Sequence, residues 1–247
     1  KLDKEPELRI AYEGVIADHE EKGYIKRIKT EELRSKRWLL PHFAVVKKDG
    51  DKTKIRIVFD AAAKSQGMCL NDALETGPSL QNDVVEVLVR FRRHRIALSC
   101  DVQEMFLRVG VTKEDRRYLR FLWERDGKII VYEFQRLVFG LNTSPFLAQL
   151  IARENAQRFE NECPRAVETI KRSTYMDDSL DSVGSESEAI DLKKQLEKIW
   201  RNAGMRTHKW MSNSKSVLEN TPLEDQAKGL GLNDRGTLAT KTLGLRW

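Results

Sequence analysis

The chain has 247 residues, 40% hydrophobic and 33% charged, enough to bury a sizeable core as one large domain or two small ones and too apolar for a disordered tail. Lys and Arg number 44 against 38 Asp and Glu, a net charge of +6 that favours polyanions modestly. Cys69, Cys100 and Cys163 are widely spaced without a CxxC pair, which argues against a disulfide framework or a zinc site, and no apolar run or signal-peptide pattern predicts a membrane span or secretion, so a reducing intracellular compartment fits best.

Residues 1–37 are polar, with Leu8, Tyr12, Val15 and Ile16 at helical spacing and Gly23 as a stop, which predicts a surface helix and a connector. Residues 43–46 and 55–59 are strand-like, and Asp49-Gly50 between them predicts a hairpin. Its Lys47, Lys48, Lys52, Lys54 and Arg56 either keep an exposed edge from aggregating or hold a triphosphate. After a turn-rich connector over 71–79, Ser79 is expected to cap a helix with Leu80, Val84, Val87, Leu88 and Phe91 on one face. Its basic end, Arg90 to Arg95, suits the helix dipole and a phosphate backbone equally. An apolar run over 96–100 then predicts a buried strand ending at Asp101.

Residues 119–123 and 129–132 predict a second hairpin across Asp126-Gly127. Phe139-Gly140-Leu141-Asn142-Thr143-Ser144-Pro145 runs from a Gly turn into a helix, with Ser144 as cap and Pro145 at the first helical position. Such a start either presents backbone groups to a nucleotide or is purely structural. Two strand-like stretches follow, 170–176 and 179–183, around Asp177-Asp178. Neighbouring Asp side chains at a hairpin tip can both reach the space beyond the turn. With Asp101 at another strand end, three carboxylates offer the hard oxygen ligands that suit a divalent cation such as Mg²⁺. Ser185 and Glu188 form a capping-box pattern for a helix carrying Ile190, Leu196, Ile199 and Trp200 and ended by Gly204. Residues 206–208 carry no secondary-structure expectation, and 243–247 are strand-like. The alternation predicts an α+β architecture, an antiparallel sheet with helices packed on one face.

Tyr175-Met176-Asp177-Asp178, Asp101 followed five residues later by Phe106, Phe139-Gly140-Leu141 with Ser144-Pro145, and the closing Leu243-Gly244-Leu245 together resemble a reverse transcriptase. Leu40-Pro41-His42-Phe43 and Lys209-Trp210-Met211-Ser212-Asn213 resemble most the Pao/BEL group of long-terminal-repeat retrotransposons. The resemblance covers nearly the whole chain. It implies a right-hand polymerase with fingers over 1–77 and 109–142 and palm over 78–108 and 143–247. The chain is then a piece of a polyprotein, lacking its thumb, connection and RNase H regions and its integrase.

By the same resemblance Asp101 and Asp177 hold two Mg²⁺ ions, for which Mn²⁺ can substitute. Asp178 lies beside them and the Val102 carbonyl completes the shell. The implied reaction is RNA-directed DNA synthesis, transfer of a nucleotide from dNTP to a primer 3′-hydroxyl. Lys47, with Lys48 as the near alternative, and Arg56 contact the triphosphate. Phe106 is the steric gate against a ribose 2′-hydroxyl. Phe139 and Gly140 belong to the nucleotide site, with Phe139 where retroviral enzymes carry Gln, and Leu243, Gly244 and Leu245 form the primer grip. Lys209 is either a proton donor for the leaving pyrophosphate or a surface lysine. The implied partner is an RNA or DNA template with its primer, in the cytoplasm or a virus-like particle and away from membranes. The competing expectations are an inactive nucleic-acid-binding remnant of the same fold and a metal-dependent phosphohydrolase, the latter leaving Phe106 and the basic hairpin without a task.

Overall fold

A computed structural model describes residues 2, 5–29, 38–49, 52–227, 241–242 and 245–246. In chain order the elements are α1 (Pro6–Glu21), β1 (Ile25–Arg27), β2 (His42–Asp49), β3 (Lys52–Phe59), α2 (Val84–Phe91), β4 (Ile96–Gln103), α3 (Met105–Arg108), β5 (Arg120–Arg125) and β6 (Lys128–Phe134). They continue with α4 (Ser144–Gln157), α5 (Pro164–Arg172), β7 (Thr174–Tyr175), β8 (Asp178–Val183), α6 (Glu186–Asn202), β9 (Arg206–Ser212), α7 (Lys215–Glu219), β10 (Lys241–Thr242) and β11 (Leu245–Arg246). The result is α+β, with antiparallel sheets and packed helices, as the alternation predicts. Two compact units form, one of Lys1–Gly77 with Phe106–Ser144, the other of Pro78–Met105 with Pro145–Trp247. No described helix is long and apolar enough to cross a membrane.

In the first unit an aromatic core joins α1 to two antiparallel sheets. Pro6 opens α1, Tyr12 and Ile16 one turn apart are buried, and Gly23 at φ +67 ends it. β2 and β3 pair from His42↔Phe59 to Asp49↔Lys52, while Gly50 of the expected turn lies outside the described residues. The second sheet has the order β1-β6-β5, and its tight turn places Asp126 at φ +54 and Gly127 at φ +72, the twist a two-residue hairpin needs. Tyr12 stacks on Trp123 with centroids 4.8 Å apart, and Phe59 meets Phe134 edge-on at 4.7 Å. Burial holds the His42 imidazole below its ordinary pKa and so neutral. Its Nε2 donates to the Leu122 carbonyl at 2.8 Å, leaving Nδ1 to accept from the Tyr12 hydroxyl. The His42 ring therefore fastens α1, β2 and β5 together.

The second unit is built on a four-stranded antiparallel sheet, β7-β8-β4-β9. Val87 and Phe91 of α2 pack on Ala97 of β4 and Leu180 of β8. In α6 both halves of the capping box form, Ser185 Oγ accepting from Glu188 N–H at 3.3 Å and Glu188 Oε2 from Ser185 N–H at 3.2 Å. Asp181 of β8, only 3% exposed, accepts from Arg165 at 2.7 Å and from the Thr169 hydroxyl at 2.5 Å. A buried carboxylate is tolerable because it is paired and hydrogen-bonded in this way.

Several boundaries differ from the sequence expectation, each through tertiary bonding. α2 begins at Val84 under an Asp83 cap, which accepts from Val85 and Glu86 N–H at 2.8 and 3.1 Å, and not at Ser79. Leu80 lies before the helix because Arg153 binds the Leu80 carbonyl and Asn82 Oδ1, and Asn82 binds the Thr174 carbonyl at 2.7 Å. Ser144 is itself the first residue of α4, and its hydroxyl donates to the Val138 carbonyl at 2.8 Å instead of capping. Ile170 is in α5, so the strand before the carboxylates is only Thr174–Tyr175. β4 runs past Asp101 to Gln103, and β9 forms where no element is expected.

Candidate active site

The apolar run before Asp101 makes β4 an inner strand, flanked by β8 and β9. Register then does the positioning. Asp101 stands directly opposite Asp178 on β8 and opposite His208 on β9, and such cross-strand partners share a face. Between β7 and β8 the turn holds Met176 at φ +55 and then Asp177. The Asp177 carbonyl accepts from the buried Val102 N–H at 2.8 Å, which fixes the turn against β4. Asp101, Val102, Asp177 and Asp178 are thus brought together by one sheet, although Asp177 is a turn residue and Asp178 already begins a strand.

Opposed like charges on neighbouring strands repel. Burial first, then the charges of Asp177 and Asp101, push the Asp178 carboxyl up to about 6, with Lys209 acting the other way. Both oxygens of Asp101 are engaged: His208 Nε2 lies 2.6 Å from Oδ1 and Lys209 Nζ 2.7 Å from Oδ2. Adjacent residues of a regular strand point to opposite faces. Here Lys209 has φ +52 and the ladder shifts register between Ser99 and Asp101, a bulge that turns both side chains to one carboxylate. Sequence reasoning misses His208, whose partner is 107 residues away and depends on register.

Among the described residues no three His, Cys, Asp or Glu side chains stand arranged to hold a metal ion. The donor chemistry nevertheless fits a hard divalent cation. The carboxylates of Asp101, Asp177 and Asp178 are oxygen ligands, and at Asp178 burial first, then the charges of Asp177 and Asp101, disfavour the ionised form, a penalty such a cation relieves.

Of the remaining candidates, Lys47, Lys48, Arg56, Phe106, Phe139 and Gly140 belong to the first unit, and Leu243, Gly244, Leu245 and the basic run over 90–95 to the second. On the β2–β3 ladder Arg56 opposes Val45 and Lys47 opposes Lys54, so Lys47 and Arg56 occupy the same face two residues apart in register; Lys48 opposes Thr53. Lys47 and Arg56 are exposed. Phe106 is 4% exposed and meets the half-exposed Phe139 edge-on at 4.3 Å. Gly140 has φ +106, and a Cβ there would sit 2.2 Å from the Phe59 carbonyl oxygen, so only glycine fits. Asn71 holds this loop, donating to the Gly140 carbonyl and accepting from Asn142 N–H, both at 3.0 Å. Leu243 and Gly244 lie outside the described residues, and Leu245 pairs with Thr242. Of the basic run, Arg90 donates to the Arg172 carbonyl at 2.8 Å and Arg95 to the Gly184 carbonyl at 2.7 Å, structural uses for both; Arg92 and Arg93 are exposed.

Among solved structures the chain is similar to foamy viral protease-reverse transcriptase in complex with double-stranded DNA, with 21% identity and a TM-score of 0.62 over 80% of this chain and 30% of that one. The same viral enzyme with an RNA/DNA hybrid gives 19% identity and 0.61 over 84% and 24%. The native prototype foamy virus enzyme gives 20% and 0.59 over 81% and 23%. At these identities the likeness establishes the fold, and the chain spans between about a quarter and a third of the length of those proteins. No curated protein matches it. The family described as reverse transcriptase (RNA-dependent DNA polymerase) matches residues 47–232, which is most of the chain and includes all three carboxylates. This chain belongs to the reverse transcriptase family.

Proposed function

We propose that the chain is the fingers and palm of an RNA-directed DNA polymerase from a retrotransposon polyprotein of the Pao/BEL group, working in the cytoplasm or a virus-like particle. The observation that carries this reading is the register of Asp101 opposite Asp178 with Asp177 in the adjoining turn, in a chain of this family. The two compact units support fingers over 1–77 and 109–142 and palm over 78–108 and 143–247. The Leu40-Pro41-His42-Phe43 and Lys209-Trp210-Met211-Ser212-Asn213 stretches support the Pao/BEL origin. Foamy viral relatives bound to double-stranded DNA and to an RNA/DNA hybrid support a primed RNA or DNA template as partner.

In the reaction the primer 3′-oxygen forms a bond to the α-phosphorus of a dNTP, and the bond to the bridging oxygen breaks to release pyrophosphate. Asp101, Asp177, Asp178 and the Val102 carbonyl would hold two Mg²⁺ or Mn²⁺ ions, which would supply Lewis-acid activation and charge neutralisation. Lys47 and Arg56 offset triphosphate charge from one face of their hairpin. Phe106, packed edge-on against Phe139, is a fixed ring that denies room to a 2′-hydroxyl. Leu243, Gly244 and Leu245 grip the primer.

The test is primer extension on an RNA template with dNTPs and Mg²⁺, beside Asp177→Asn. Extension by the parent protein alone, with equal primer-template binding by both, is the expected result. Extension by Asp177→Asn overturns the carboxylate assignment. Binding without extension by the parent establishes the inactive-remnant reading instead.

A further inference from the structure

We propose that Lys209 is a built-in counter-ion for Asp101, closing the carboxylate cluster until a divalent cation displaces its ammonium. The inference rests on the reading of Asp101, Asp177 and Asp178 as metal ligands, and three observations carry it.

The first is occupancy. Lys209 Nζ, 2.7 Å from Asp101 Oδ2, takes the oxygen that His208 leaves available, and with both in place Asp101 has no oxygen uncommitted. The second is backbone geometry. Lys209 adopts φ +52, a left-handed conformation uncommon for residues with a Cβ, at a register shift in the ladder. Without that bulge Lys209 would face away from Asp101. The third is asymmetry between the two partners. The His208 side chain is 22% exposed, like that of Asp101, whereas that of Lys209 is 57% exposed. Lys209 can swing into water when a better cation arrives, and His208 stays to orient Asp101.

The experiment uses the whole chain with metal alone. Mn²⁺ is titrated by electron paramagnetic resonance at low salt into the parent protein, Lys209→Gly, Lys209→Asn and Asp177→Asn. Gly and Asn both tolerate positive φ, so either variant removes the ammonium while keeping the bulge. In parallel, lysine acetylation read by mass spectrometry follows Lys209 in the parent protein and in Asp101→Asn as Mn²⁺ is added.

Because exposed ion pairs are individually weak, both Lys209 variants should bind Mn²⁺ about threefold to fivefold tighter than the parent. Labelling of Lys209 should rise in step with Mn²⁺ occupancy, and in Asp101→Asn it should stand at the higher level with or without metal. If Mn²⁺ binds the parent and is lost in Asp177→Asn, but the Lys209 variants bind no tighter, the inference fails and the metal reading stands. Tighter binding with flat Lys209 labelling also overturns it, because that pattern is a through-space charge effect and not displacement. If no protein binds Mn²⁺, or Asp177→Asn binds as well as the parent, the metal reading itself fails and the inference falls with it.

Discussion

Among the described residues the side chains of Lys47 and Arg56 of the first unit, both exposed, have no hydrogen-bond or ion-pair partner, whereas Asp101 of the second has both carboxylate oxygens engaged. The cores differ in the same sense. The first unit is held by aromatic packing, Tyr12 on Trp123 and Phe59 on Phe134, to which its two candidate cations contribute nothing. In the second unit Asp101, Asp178, His208 and Lys209 are neighbours in one sheet, and the charges of Asp101, Asp178 and Lys209 bear on its stability as well as on any ligand. Substitutions should therefore separate function from stability in the first unit and mix them in the second.

The largest effects are expected where each unit buries an ion pair. Arg120 and Glu133 of the first unit are 2.7 Å apart with side chains 5% and 12% exposed. Arg120→Ala leaves Glu133 without its cation and should cost about 3–5 kcal/mol in urea unfolding. Asp181→Ala in the second unit should cost less, about 2–3 kcal/mol, because Arg165 is 35% exposed and keeps Glu168 at 3.0 Å. Equal losses would mean that solvent access to the surviving partner does not decide the penalty. Next comes Gly140→Ala, the exception within the first unit, since this candidate is also structural. A Cβ 2.2 Å from the Phe59 carbonyl oxygen at φ +106 should cost about 2 kcal/mol, and an unchanged unfolding midpoint would show that the loop relaxes.

Elements whose signals are local were legible in the sequence. The Asp126-Gly127 turn, the Ser185–Glu188 capping box and the Gly23 and Gly204 stops need only neighbouring residues, and all form. What failed was decided elsewhere in the chain. Ser79 and Asp83 are both competent caps, and Arg153 and Thr174 select Asp83 by holding Leu80 and Asn82 outside the helix. The short α5 was hidden because Ile170 continues visually into Tyr175, although Pro164 at its start and the spacing of Ala166, Val167 and Ile170 are helical. In β9 the left-handed Lys209 breaks the alternation that marks a strand, and so concealed His208. The carboxylates were legible as residue types, but Asp101 lies within β4 and not at its end, and their mutual placement is a matter of register between strands distant in sequence.

Acidification gives smaller effects of opposite sign in the two units: in the first, burial holds the His42 imidazole below its ordinary pKa, so stability is lost as pH falls below about 6.5, and in the second it is gained. The Asp178 carboxyl is raised to about 6, so the folded state holds its proton more tightly than the unfolded chain does. The destabilisation from ionising Asp178 is thus fully felt above about pH 6 and is relieved as pH falls towards about 4. Relative to Asp178→Asn, the parent protein should gain stability over that window, and a pH-independent difference between the two would contradict the shift. Mn²⁺ affinity should fall over the same range, because proton and cation compete for one carboxylate. Asp72 and Glu124, both held below their ordinary range by hydrogen bonds, act in the opposite direction only at lower pH.

The smallest stability effect is the one on which the comparison depends most. Lys47→Ala and Arg56→Ala remove exposed cations with no partner among the described residues, so unfolding free energy should move by no more than about 0.5 kcal/mol. If the two residues hold the triphosphate, each nevertheless contributes a charge-assisted contact, and kcat/KM for dNTP should fall about tenfold to a hundredfold. A hairpin that loses catalysis while keeping its stability is one whose charges serve a ligand. Loss of more than about 1 kcal/mol in either variant would instead show that the cations brace the strands, and the contrast between the two units would no longer hold.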